Sequence, residues 1–538
     1  MPDREEPIDP TGEVFVEADD APTTLAETPE KRGALRTATV ISGRVVLGCV
    51  ASLAIAVLVG AAILLPLPSV RSAAVSTVVT PVPTTRQLVC PGGLLRLASA
   101  SGKGATTVSA IGAPRIVSSA QPGSVLSSAF ATTDAGTANG SAAPQLLSTP
   151  AIAAGTAPPL LAGAQSESIG TDEFAGLATA ECTAPSGSTW LAGGATSVGR
   201  TTLILLANPT AVPAVVSVQV FGETGQVTAP GMEGIAVGAG AQRVVSLAGF
   251  APNLVSPVVH VQSTGGQIVA SLEQSTVRGI TPGGIDFVGG SLAPALTTVL
   301  PGIVVTGTQA MQSLQGQTGY DDLQTTVRFY LPSDKPATAS ITVLAENGTV
   351  TGKPIKADLQ PGSVTDLPLD QLSDGNYTVI VTSKVPVLAS VRVSTAAGGS
   401  TSPDPTATAD TGGAATTGTT PSRPAAAGDT DFAWITPATL LTSSVLVPIA
   451  TGMTAAVHLE NPTSSAETVT LHAVSGPDIT KTVGAHKAVS IPVLAGHTYE
   501  LTGFRQLYAS VSGVAGARVT SYGVSPLARG EGPIRVVG

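Results

Sequence analysis

Charge and aromatic rings are scarce in this sequence: 12% of residues are charged and 3% are aromatic. With a net charge of −10, the chain lacks the concentrated Lys and Arg that a nucleic acid partner requires. Cysteine is limited to Cys49, Cys90 and Cys182, and the absence of a Cys-x-x-Cys pair argues against thiol redox chemistry. Neither His-Glu-x-x-His nor Gly-x-Ser-x-Gly occurs, so two common hydrolytic signatures are missing. The stretch Ser101–Thr107, SGKGATT, has Leu97 where a phosphate loop opens on glycine. It also carries Gly104 where Ser or Thr must follow the lysine, so it is rejected. No catalytic residue, cofactor-binding residue or metal ligand is assigned, and no small-molecule cofactor is expected.

What the sequence does hold is one long apolar run, Val45–Leu65. It has no charge, and twelve of its twenty-one residues are Val, Leu or Ile. As a helix it spans about 32 Å, enough to cross a hydrocarbon core. Lys31, Arg32, Arg36 and Arg44 precede it, against Arg71 and Arg86 after it. That bias puts the N-terminus in the cytoplasm and the bulk of the chain outside. A cleaved signal peptide fits less well, because the leader is 44 residues long and LPLPSVRSAA matches a small-residue cleavage site poorly. The leader is acidic and poor in large apolar residues, which favours disorder.

Beyond the span, Gly, Pro, Ala, Thr and Val dominate. β-Branched residues suit a pleated surface, while Gly and Pro break helices. Cys90 and Cys182 lie on the exported, oxidising side and are read as one disulfide, with two free thiols as the alternative. Closing that loop is worth about 4–5 kcal/mol in the chain-entropy picture.

From Trp190 the chain repeats itself. Leu203–Val227, Thr326–Val350 and Ala456–Val483 each read as a strand, an Asn-Pro or Leu-Pro turn, an alternating strand and a glycine turn. Pro209, Pro332 and Pro462 stand 123 and 130 residues apart. Each block continues with a second apolar strand and closes on an Ala-Ser strand holding Ala270, Ala389 or Ala509. Fixed-order similarity of this kind marks repeated structural units, and the strand spacing fits antiparallel sandwiches.

Few residues suggest chemistry. His458, His472, His486 and His497 fall in the last block, but without a close pair they read as surface or edge histidines rather than zinc ligands. Asp321 and Asp322, beside Tyr320, read as a solvated loop, since adjacent acids on a strand face opposite ways. Asn139-Gly-Ser, Asn347-Gly-Thr and Asn376-Tyr-Thr fit the glycosylation sequon and read more simply as turns.

Cys-Pro-Gly-Gly at Cys90–Gly93, Ser-Thr-Trp-Leu-Ala-Gly-Gly at Ser188–Gly194 and Leu-Leu-Ala-Asn-Pro at Leu205–Pro209 carry a resemblance. Over residues 70–538 the chain resembles an uncharacterised actinobacterial family of membrane-anchored exported proteins with repeated Asn-Pro-containing β modules. That resemblance implies location and class, and supplies no activity and no functional residue.

The expected fold is mainly β, with tandem immunoglobulin-like or fibronectin-like sandwiches behind one N-terminal transmembrane helix. Its parts are a disordered acidic cytoplasmic tail (1–40), the transmembrane helix (41–68), an N-terminal β-rich region (69–185), module one (186–285), module two (286–395), a Thr/Gly/Pro/Ala-rich linker (396–430) and module three (431–538). The expected role is a non-enzymatic, single-pass cell-envelope scaffold that touches an envelope protein or glycan. The alternatives are an enzyme or accessory factor acting on envelope polymers and a transmembrane signalling protein.

Overall fold

The computed structural model describes residues 76–79, 85–97, 108–132, 142–150, 159–291, 293–347, 352–397, 429–526 and 534–537. The anticipated tail (1–40), membrane helix (41–68), SGKGATT stretch and nearly all of the linker lie outside them. Among the described residues no helix is long and apolar enough to cross a membrane. Two units separate: Val79–Ile534 is one, and Met1–Val78 with Arg535–Gly538 is the other. Mostly within the second, Ser76–Val79 pairs with Ile534–Val537 in a two-stranded sheet. The first carries the repeated architecture.

The fold is mainly β and is built from one repeated sandwich. Its clearest copy has eight main strands: Ser188–Ala192, Arg200–Asn208, Ala214–Gly222, Gly225–Val227, Ala241–Ser246, Val258–Gly265, Val269–Arg278 and Thr281–Val288. One sheet takes the first, sixth, third and fourth strands in that order; the other takes the eighth, seventh, second and fifth. In the immunoglobulin order the first strand lies beside the second and the last beside the sixth. Here the first lies beside the sixth and the seventh beside the second.

Alternation sets the inner faces. Val216, Val218 and Val220 point inward onto Ile204, Leu206, Ala270 and Leu272 of the facing sheet, while Val215 is exposed. The Asn-Pro turn has a concrete cause. Asn208 Oδ1 accepts from the Thr210 N–H and hydroxyl, and its amide donates to Val212 O. Asn461 repeats these contacts with Thr463 and Ser465. The proline that follows sits where the ladder has ended and no donor is needed.

The same strand order recurs twice more. The second copy runs Ala295–Val305, Thr326–Tyr330, Ala337–Ala345, Ile355–Leu359 and Val364–Pro368, then a 22-residue strand, Gly375–Ala396, that serves as sixth and seventh at once. Its eighth strand is Thr430–Ile435, paired with Val391–Ala396. This differs from the sequence reading, which opens the third module at residue 431. The linker instead joins the seventh and eighth strands of module two, because the apolar TDFAWI segment completes that module's core through Ala433 and Ile435. The third copy runs from Val445–Pro448 to Arg518–Gly523.

The N-terminal region is an abbreviated copy. Arg86–Cys90, Gln145–Thr149 and Leu126–Ala129 stand as first, sixth and third strands; Ala175–Glu181, Leu160–Gly170 and Arg115–Gln121 stand as eighth, seventh and second. In place of fourth and fifth strands, Ala131–Thr132 pairs in parallel with Ala241–Gln242 of the next module. Cys90 and Cys182 are joined by a disulfide inside this copy's core, beside Leu88, Leu147 and Leu161.

The four eighth strands close a ring. Ala175–Glu181 packs on Thr281–Val288, that on Thr430–Ile435, that on Arg518–Gly523, and the last returns to the first. At the centre Asp431 is almost wholly buried. Its carboxylate accepts from Leu177 N at 3.1 Å, Val519 N at 3.3 Å and Ile285 N at 3.4 Å, one donor from each other module. Asp286, also buried, accepts from Trp434 N at 2.8 Å and from the Thr179 N–H. Two glycines permit the approach. A Cβ on Gly176 or Gly284 would lie 3.0 or 2.8 Å from Asp431 Oδ1.

Burial pushes the Asp431 carboxyl up to about 7, against the pull of these backbone donors. A carboxyl whose pKa rises on folding contributes stability that is present below its unfolded value and is lost as pH climbs through its folded value. Denaturant midpoints of the chain should therefore fall between about pH 4 and pH 7, and the fall should be shallower in Asp431→Asn. Asp431→Ala leaves three donors unpaired and should cost about 3 kcal/mol or more in urea unfolding.

Candidate functional site

Where the eighth strands end, the ring opens into a cavity of about 390 Å³ walled by all four copies. The N-terminal copy supplies Glu181 and Cys182, module one Phe287 and Gly290, module two Trp434 and Thr436, and module three Tyr522 and Ser525. The wall is a mix of rings, aliphatic groups and hydroxyls, with Glu181 as its one charged group among the described residues.

Three of the wall's side chains are held by hydrogen bonds. Trp434 donates its indole N–H to Gln274 Oε1 at 2.7 Å, and the Arg328 guanidinium lies 4.7 Å over its ring. Tyr522 donates to Pro448 O at 2.8 Å and accepts from Ala450 N at 3.0 Å. Glu181 accepts the Ser525 N–H at 2.7 Å and its hydroxyl at 2.9 Å. Burial still pushes that carboxyl up to about 7, so it changes charge near neutral pH.

Ser188 lies on the cavity wall at an exposed position. Its hydroxyl is 2.9 Å from His260 Nε2, and His260 Nδ1 is 3.1 Å from Gln219 Oε1. Three neighbouring strands deliver these groups: Trp190 and Gln219 both register against His260. The Trp190 indole stacks on the imidazole at 3.9 Å and 5°, and Tyr330 of module two stands 5.6 Å beyond it. Burial holds the imidazole below its ordinary range. The Ser188–Gly194 motif is legible in sequence, whereas His260 and Gln219 carry no local signal and meet it only through strand register.

The other candidate residues scatter. His458 is no surface or edge histidine: it is fully buried, 2.5 Å from Glu346 Oε2 and 2.6 Å from Ser512 Oγ. Its strand faces the preceding module, which the sequence pattern of its own block does not reveal. His472 is exposed beside Asp478 at 2.8 Å, His497 meets Ser475 O, and His486 is exposed in a turn. Among the described residues no group of three metal-binding side chains converges. Asn376 starts a strand, where its amide donates to Ser490 Oγ, instead of a turn.

Asp322 overturns the reading of a solvated loop. Arg278 meets it at 2.7 Å, Arg200 at 3.0 Å and Arg392 at 3.2 Å, while Asp321 stays exposed. Burial opposes ionisation, but the three guanidiniums together hold the carboxyl well below the usual range. The arginines come from positions 200, 278 and 392, so no local pattern announces them. Asp322→Ala strands three cations and should lower stability by about 3 kcal/mol in urea titration. A solvated aspartate would cost below about 0.5 kcal/mol.

Comparison with known proteins adds a family. The model of a family of unknown function, DUF5719, matches residues 134–439, more than half of the chain. No curated protein matches. A crystal structure of Thermotoga maritima 1070 is similar over 19% of this chain and 81% of its own, with 21% identity and a TM-score of 0.15, too low to carry an argument.

Proposed function

We propose, for a chain that belongs to the family of unknown function DUF5719, a scaffold role in the cell envelope. Residues 41–68 anchor it in the membrane with a cytoplasmic N-terminus, as in the actinobacterial exported proteins it resembles. The β body stands outside and binds an envelope protein or glycan at the cavity that closes the ring. The convergence of four modules on one cavity carries this reading. Concave sites lined by aromatic and aliphatic groups with a few polar groups are where proteins hold ligand-sized groups. Trp434, Tyr522 and Glu181 are already held by hydrogen bonds, which lowers what binding must reorder. Low charge and net acidity give a nucleic acid nothing to grip.

Photocrosslinking tests the role in cells. A photoreactive residue at Ala438, on the cavity wall, should capture one envelope component. The same group at Ile355, an exposed position on an outer strand, should not. Equal patterns from both positions would remove the cavity from the account. Protease added to intact spheroplasts should digest the chain after residue 70. Protection of that portion would remove the exported topology.

A further inference from the structure

We propose that Ser188 is a nucleophile, with His260 as its general base, for acyl transfer from ester-bearing ligands at the cavity wall. The proposal does not depend on the scaffold role. Its basis is a directional chain of hydrogen bonds. With the Gln219 amide oriented so that Oε1 faces His260 Nδ1 at 3.1 Å, the oxygen accepts and Nδ1 carries the proton. That leaves Nε2 as a lone pair facing the Ser188 hydroxyl at 2.9 Å, the geometry a base needs to take its proton. Ser188 is exposed, so a ligand can reach the hydroxyl, whereas His260 is buried and held in one orientation.

Triads of this type usually place a carboxylate behind the histidine, which stabilises the imidazolium that forms. Here two groups share that task. Gln219 Oε1 fixes the tautomer, and the Trp190 ring lies parallel to the imidazole at 3.9 Å. A cation over an indole face is favoured by the ring quadrupole. Trp190 is itself held by Phe221 and Tyr330, so the face is presented without rearrangement.

The step balances. Ser188 Oγ forms a bond to the ester carbonyl carbon while its proton moves to His260 Nε2. The ester C–O bond then breaks, and the departing alcohol takes the proton from Nε2. Water next attacks the acyl-serine carbonyl, giving its proton to Nε2. The Oγ–C bond breaks and Oγ recovers that proton, releasing a carboxylic acid.

The full chain treated with a fluorophosphonate should carry one phosphonyl group on Ser188, located by peptide mass spectrometry. It should also release p-nitrophenolate from p-nitrophenyl acetate. Ser188→Ala, a change at an exposed position, should remove both signals while circular dichroism stays unchanged. His260→Ala should slow labelling on the order of 100-fold or more. Gln219 is a positioning residue: Gln219→Leu should slow labelling at least about tenfold, and Gln219→Glu should restore it. Absence of a Ser188 adduct on the folded chain would overturn the proposal. So would labelling that persists unchanged in His260→Ala, or Gln219→Glu behaving like Gln219→Leu.

Discussion

Asp431 is one carboxylate shared by four sandwiches. It leaves its own strand to accept backbone donors at Leu177, Ile285 and Val519, which belong to the three other copies. An unmatched polar group in such a place costs more than a made hydrogen bond returns. The eighth strands must therefore approach one another with backbone donors aimed inward, and Gly176 and Gly284 give them room. The opening into the cavity, the orientation of Trp434 and the position of Glu181 are set by where these strands end. Module two reaches this centre only with Thr430–Ile435, a segment beyond the linker.

The contacts between neighbouring copies reuse one position with different chemistry. Four residues before the turn proline stand Leu205, Arg328 and His458. Leu205 packs in an apolar cluster with Leu94 and Leu95 of the N-terminal copy. Arg328 donates to Gly194 O, Val255 O and Pro257 O of module one and forks onto Asp366. His458 meets Glu346 of module two. The two polar versions are buried and are matched by specific partners, so each joint accepts its own neighbour and disfavours the others. Apolar packing alone would give the joints little to tell them apart.

Much of this was legible in the sequence because it is local. Alternation at Val216, Val218 and Val220 gives a half-buried strand, and the Asn208 and Asn461 turns write the repeat openly. The N-terminal copy hid because it lacks two strands and carries an inserted hairpin, Leu95–Leu97 with Val108–Ala110. The extent of module two hid because its eighth strand comes after a long low-complexity stretch. The candidate site was half visible: Ser188 and Trp190 stand in one motif, while His260 and Gln219 arrive through register from two other strands. Asp322 and its three arginines are brought together where module two meets module one, not by nearness in the chain.

Native-state hydrogen exchange tests the shared centre most directly. Peptides holding Leu177, Ile285 and Val519 lie in three different copies, yet one carboxylate accepts from all three amides. Removing it in Asp431→Ala should raise exchange in all three together, and at neighbouring eighth-strand amides. Faster exchange confined to the strand that carries Asp431, with the other three copies unchanged, would contradict it.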